Sequence, residues 1–474
     1  MLSIPAENRA DLWNILLKKV ERYASEVHLL PVSPVLDPGA VRGYLRQFQF
    51  QYPLSPENAI DVAADGLTRW QVHTPHPCYF GLFNPAPTTM GIAADTLTAA
   101  FNPQMAAWSH NPFANEVENH VVRAIGSKFG YTNADGTFCS GGMEANHTAL
   151  LTALTHHFPG FATDGLASLP LRPVLYTSSE SHHSILKAAR MAGLGTVAVR
   201  QVPVDEKLRL RVDVLCQWIQ QDRASGLAPF LVVATAGTTS AGVVDPLTEI
   251  ADLCEREFLW MHTDAAWGGA AVLLPEFGEL LHGIGRSDSI TFDAHKWFSV
   301  PMGAGVYLTR HPEILSQTFH VTSAYMPKDA TDLDVVDPHT HSMQWSRRFT
   351  GLKVFLSLLV AGWDGYASAI RHQASMGDLL RTLLRDTGWN IANDTVLPVV
   401  CFEDPGKSPE HQRAIANLVV ASGKAWISPT VIAGRTVIRA CITHYGTAPD
   451  DIDTLVKALH EARAQLNLAP AFGG

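Results

Sequence analysis

The chain has 474 residues, 46% hydrophobic and 17% charged, which excludes a disordered or collagen-like polypeptide and leaves room for two or three structural units. Acidic residues outnumber basic ones, 45 to 35, so neither a nucleic-acid footprint nor a polybasic membrane anchor is expected. The six cysteines (Cys78, Cys139, Cys216, Cys254, Cys401, Cys441) contain no Cys-x-x-Cys pair, which points to reduced thiols in a cytoplasmic protein rather than a disulfide framework or a zinc site.

Residues 1–20 place Glu7, Arg9, Asp11, Lys18 and Lys19 among apolar residues, as an amphipathic helix does and a secretory signal does not. Leu12, Ile15, Leu16 and Leu17 line one face of it. The whole stretch 1–84 reads as helices joined by Pro-rich links, with too little core to stand alone, and is expected to pack on the main body or across a dimer. The aromatic loop from His76 to Pro85 reads as a buried turn. Helices follow from Thr88 towards Phe101 and over 115–129, where Val117, Val121, Val122 and Ile125 recur at helical spacing.

From 136 to 310 the pattern alternates. Strands are expected at 174–176, 196–199, 230–234, 260–262, 289–292 and 305–308, and helices at 143–154, 184–192, 212–221 and 247–257. Such alternation predicts an α/β unit, residues 85–350, with a mostly parallel sheet covered on both faces. Residues 319–345 are polar and rich in aspartate, the composition of an active-site lid or a disordered loop. An apolar helix over 349–361 opens a small α+β unit, 351–474, with strands at 396–402 and 436–441 and a closing helix near 449–462. No apolar run reaches membrane-spanning length.

Four segments carry chemistry. In Ser140-Gly-Gly-Met-Glu-Ala-Asn146, paired glycines lead into a helix whose first N–H groups can hold a phosphate; alone, the segment is equally a plain turn into a helix. His182, after the strand at 174–176, can stack on a planar ring or cap a helix. Adjacent His182 and His183 with no third ligand make a poor metal site. Asp264 ends an apolar strand, where a carboxylate needs a cation such as a protonated pyridine nitrogen, and Ala265 and Ala266 leave room for a flat ring. Thr239 ends a neighbouring strand with a hydroxyl. Lys296 follows the strand at 289–292, at the edge where open α/β sheets bind ligands, and an amine held there suits Schiff-base chemistry. Phosphate cradle, stacking histidine, aspartate and lysine, in that order, describe a pyridoxal-phosphate site.

With these motifs, and Asp293-Ala-His-Lys296, the chain resembles the pyridoxal-phosphate-dependent group II amino-acid decarboxylases, which include aromatic-amino-acid, glutamate, histidine and diaminobutyrate decarboxylases. The resemblance runs from the His76 loop to the strand of Arg439. It implies an aspartate-aminotransferase-like (fold type I) large domain with a seven-stranded sheet, and a homodimer with active sites at the subunit interface. It further implies that Lys296 holds pyridoxal 5'-phosphate in a Schiff base, that Asp264 pairs with the ring nitrogen and that His182 stacks on the ring. Thr239 would lie near the ring hydroxyl, and Gly141, Gly142 and Met143 would hold the phosphate, with Ala266, Asp293 and His295 lining the site. Tyr325 matches a loop tyrosine that returns a proton after carbon dioxide leaves. Phe83, Pro85, Gln104, Ala106, Met302 and Arg439 fall at the substrate end.

The departures are Met143 where relatives carry Ser or Thr, Asp293 where many carry Asn, Met302 where aromatic-specific members have Phe, and the small or polar Ala106 and Gln104. The activity implied is decarboxylation of an L-amino acid to the amine. Transamination, a lyase reaction, aldehyde synthesis and a catalytically silent scaffold remain as alternatives.

Overall fold

The computed structural model describes residues 2–321, 333 and 335–468; Tyr325 lies outside the described residues. The chain begins with α1 (Ala6–Glu26), α2 (Pro38–Leu45) and α3 (Pro56–Trp70), followed by α4 (Thr89–Phe101) and α5 (Pro112–Lys128). Thr88 and Asn111 cap α4 and α5 by accepting the N–H of Gly91 and Ala114, and Pro112 occupies the first turn of α5, where its missing N–H costs nothing. Of the apolar face of α1 only Leu12 is buried; Trp13, Leu16, Leu17 and Val20 are exposed.

The central unit runs β1 (Asp135–Cys139), α6 (Gly142–His157), α7 (Phe161–Asp164), β2 (Arg172–Ser178), α8 (Ser184–Met191), β3 (Val199–Val202), α9 (Val212–Ala224), β4 (Leu227–Thr235), α10 (Leu247–Glu257), β5 (Trp260–Asp264), β6 (Ser289–Asp293), β7 (Gly305–Thr309) and α11 (Ile314–Phe319). Its seven-stranded sheet has the order β1-β7-β6-β5-β4-β2-β3. Strands β3, β2, β4, β5 and β6 are parallel neighbours, and β7 runs antiparallel to both β6 and β1. The pleat of β4 shows why the sequence reads as continuous apolar runs. Leu231 and Val233 join a cluster with Leu150 and Ile185, while Val232 and Ala234 join one with Leu215 and Ile250, so each face of the strand meets helices.

The strand expected at 196–199 is displaced. Gly195, at φ +75°, turns the chain, residues Thr196–Ala198 form a 3-10 turn, and pairing begins at Val199 opposite Leu175. Only tertiary pairing locates that start.

The C-terminal unit comprises α12 (Gly351–Asp386), β8 (Asn390–Ile391), β9 (Val399–Glu403), α13 (Pro409–Ala421), β10 (Ser428–Ile432), β11 (Arg435–Cys441) and α14 (Pro449–Leu468), with an antiparallel sheet in the order β10-β11-β9-β8. Strand β10 was not expected: Pro429 argues against a strand, yet an edge tolerates it. Ala433 and Gly434, both at positive φ, close the two-residue hairpin to β11. Helix α12 runs far past 361, broken at Gly362 (φ 62°, ψ 178°). Leu352, Val354 and Ile370 pack into the core of the large sheet, whereas Met376, Leu380 and Leu384 belong to a second core with Val400, Phe402 and Leu455. Cys78, Tyr79 and Phe80 also enter this second core, and Phe80 N–H donates to Trp426 O at 2.9 Å. The aromatic loop is therefore laid onto the small unit.

Candidate active site

Parallel pairing of β5 with β6 sets Asp264 opposite Thr291, so Asp264 and Asp293 emerge together at the carboxyl edge of the sheet. Three residues past Asp293, the ammonium of Lys296 sits 2.9 Å from Asp293 Oδ2. Asp293 is 1% exposed and its Oδ1 has no hydrogen-bond partner among the described residues.

Helix α6 begins against the same edge. A Cβ built on Gly142 would lie 2.8 Å from Asp293 Oδ2 and 3.3 Å from the Cβ of Ala266, and one on Gly305 would lie 2.6 Å from the backbone of Gly141. Glycine at 142 keeps a cradle open in front of the first N–H groups of α6, which have no partner inside the helix. His295 closes the far side: its Nδ1 accepts from Ala304 N–H at 3.2 Å, and burial lowers its pKa. The Met143 side chain offers no hydroxyl here, so its backbone N–H is what it can contribute.

One turn into α6, Asn146 Nδ2 donates to Asp264 Oδ2 at 2.8 Å, while Asp264 Oδ1 accepts from Ala266 N–H at 3.1 Å. His182 lies across from them, with Ser184 N–H donating to its Nδ1 at 3.2 Å. Burial lowers the His182 pKa, and the charges of Asp264, Lys296 and Asp293 also act on it, the carboxylates opposing that shift and the ammonium adding to it. The ring of His182 thus lies within reach of the charges of Asp264, Asp293 and Lys296.

The other expected residues divide. Arg439 donates from Nη1 to Thr239 O at 2.6 Å, and its guanidinium lies 6.0 Å from the ring centre of Phe83, which packs on Trp267; Pro85 is buried nearby in the chain. The ring of Phe83 and the cation of Arg439 therefore converge from opposite ends of the sequence. Ala106 is buried, receives its neighbour Gln104 at its N–H and the 338–340 turn at its carbonyl through His339. Met302 is 62% exposed, and the buried Lys353 fixes its loop by donating to Met302 O at 2.8 Å. No hydrogen bond or ion pair among the described residues joins Gln104, Ala106 or Met302 to Lys296. The sequence pattern assigns no role to Asn146, although its spacing of four from Gly142 puts both on one side of the helix.

These residues fit pyridoxal phosphate: a glycine cradle at a helix start, an accessible lysine amine, and a carboxylate fixed at the end of a buried strand. The comparisons agree. The pyridoxal-dependent decarboxylase conserved domain matches residues 42–404, and the chain belongs to that family; it is a pyridoxal-phosphate-dependent amino-acid decarboxylase. It is similar to the aromatic-L-amino-acid decarboxylase of Bacillus atrophaeus, 29% identical over 97% of each chain. It is also similar to the acidic amino acid decarboxylase GADL1 of Mus musculus, 32% identical over 71% of this chain and 62% of that one. The crystal structure of mouse CSAD superposes with a TM-score of 0.90, at 26% identity, covering 97% of this chain and 99% of that one.

Proposed function

We propose that the protein removes the α-carboxylate of an L-amino acid as carbon dioxide and releases the amine, with Lys296, Asp264, His182 and Tyr325 as catalytic residues. The observation that supports this reading is geometric: Lys296 bonds Asp293, Asp264 bonds Asn146 of α6, and both Asp293 and Ala266 line the glycine cradle at the start of that helix. Pyridoxal phosphate, when bound, supplies a conjugated ring that takes up the electron pair left at the α-carbon. Lys296 provides the amine that tethers it, and Gly141, Gly142 and the Met143 N–H hold its phosphate. Asp264 offers a fixed negative charge to the ring nitrogen, and His182 covers the ring face. Thr239, Ala266, Asp293 and His295 complete the cofactor's surroundings. Phe83, Pro85, Gln104, Ala106, Met302 and Arg439 bound the substrate side, and Tyr325 returns a proton to the α-carbon once water is excluded.

The relatives act on aromatic and on acidic amino acids by their names, and a substrate screen distinguishes these side chains. Holoprotein incubated with each common L-amino acid is expected to release carbon dioxide and the matching amine from a small subset. Keto acid with no carbon dioxide would refute the reading. Tyr325→Phe is expected to keep substrate binding while shifting product from amine towards aldehyde; an unchanged amine yield would remove Tyr325 from the mechanism.

We further infer a homodimer, because Trp13, Leu16, Leu17 and Val20 of α1 and Phe101 of α4 leave large apolar side chains exposed on this chain. Sedimentation at micromolar concentration should show one dimeric species; a monomer there would count against it. All six cysteines are unpaired and five are buried, which supports a cytoplasmic setting.

A further inference from the structure

Asp264 ends a continuous chain of buried polar groups. Asn146 Nδ2 donates to Asp264 Oδ2 and to Ser184 Oγ, both at 2.8 Å. Asn146 Oδ1 meets His262 Nε2 at 3.0 Å and Thr291 Oγ1 at 2.7 Å. His262 Nδ1 meets Ser289 Oγ at 2.8 Å, and Trp260 Nε1–H donates to that oxygen at 2.9 Å. Trp260, His262, Ser289, Thr291, Asn146 and Ser184 are each at most 3% exposed.

The two ends set the direction. An indole N–H only donates and a carboxylate only accepts. With Asp264 as the acceptor, the Asn146 amide must turn its NH2 to it and its oxygen to His262, an orientation that follows from the network. His262 then carries its proton on Nε2, and Nδ1 accepts from the Ser289 hydroxyl. Burial pushes His262 down to about 4 against the pull of Asp264, consistent with a neutral ring of one tautomer.

We propose that Asn146 and His262 are positioning residues that act through Asp264, fixing its side chain in the orientation that faces the cofactor's ring nitrogen. This rests on the assignment of Asp264 to that nitrogen. Neither residue needs to touch the cofactor; they fix the acceptor it meets.

The test titrates apoprotein with pyridoxal phosphate and with the analogue bearing CH in place of the ring nitrogen, following the visible absorption of the bound form and the thermal midpoint of the apoprotein. His262→Leu and Asn146→Leu are expected to weaken pyridoxal phosphate binding by about tenfold or more and analogue binding by less than about threefold. His262→Gln, which keeps an N–H towards Asn146 Oδ1, should restore most of the affinity. Equal weakening for both ligands, or no recovery with glutamine, would overturn the proposal, because simple packing damage does not distinguish a ring nitrogen from a ring carbon. Should a leucine variant fail to fold, Asn146→Ser and Thr291→Val carry the same comparison with the same expected outcome. Asp264→Ala separates the two layers: if it binds both ligands as the unaltered protein does, the ring-nitrogen assignment itself is wrong.

Discussion

Lys296→Ala is expected to leave a folded protein whose decarboxylation rate falls by at least about 10⁴-fold, the scale seen when the covalent group of a cooperating set is removed. The cofactor adduct that borohydride fixes in the unaltered protein should be absent. The effect is specific because a Schiff base needs a primary amine, which Lys296 Nζ offers at hydrogen-bond distance from Asp293 Oδ2 and the imidazole of His182 does not. Alanine also leaves Asp293 buried without its counter-charge, so the thermal midpoint of the apoprotein should be measured beside activity. Retention of activity within about tenfold, or of the borohydride adduct, would show that the amine lies elsewhere.

The second large effect concerns stability. Glu118 and Arg347 form an ion pair of 2.5 Å with side chains 5% and 6% exposed, and Glu118 Oε1 also accepts the Gly351 N–H that opens α12. Arg347 Nε and Nη1 have no other hydrogen-bond partner among the described residues. Glu118→Ala would strand a buried guanidinium and uncap the helix, at a cost of about 3–5 kcal/mol. Urea unfolding of the apoprotein measures it. Glu118→Gln, which keeps the acceptor for Gly351, should lose less. An alanine variant with the unaltered midpoint would mean that water replaces the carboxylate without loss.

The candidate site's residues stand out in the sequence because each lies at or just past the carboxyl end of a strand and has a residue type with few other uses there. Asp264 closes an apolar run, Lys296 follows another, and Gly141 and Gly142 lead into a helix. The large sheet was readable for the same reason, since parallel strands buried on both faces betray themselves as unbroken apolar stretches. What escaped depends on partners distant in the chain. Asn146 is a plain helical asparagine until the fold sets it against Asp264 and Thr291, 118 and 145 residues away. Likewise, β10 hides behind Pro429, and β3 begins only where Leu175 offers a partner. The 319–345 segment differs from its surroundings in polarity alone, and Tyr325 within it lies outside the described residues.

Helix α12 joins the two hydrophobic cores and is interrupted only at Gly362. A side chain added at 362 would meet no atom within 4 Å, yet the backbone angle there is one that other residues adopt reluctantly. The rod therefore changes direction at a point set by one residue's torsion and not by its contacts. Because Ile370 beyond the break packs into the same core as Leu352 and Val354 before it, the rod is bent to follow one core before it crosses to the other.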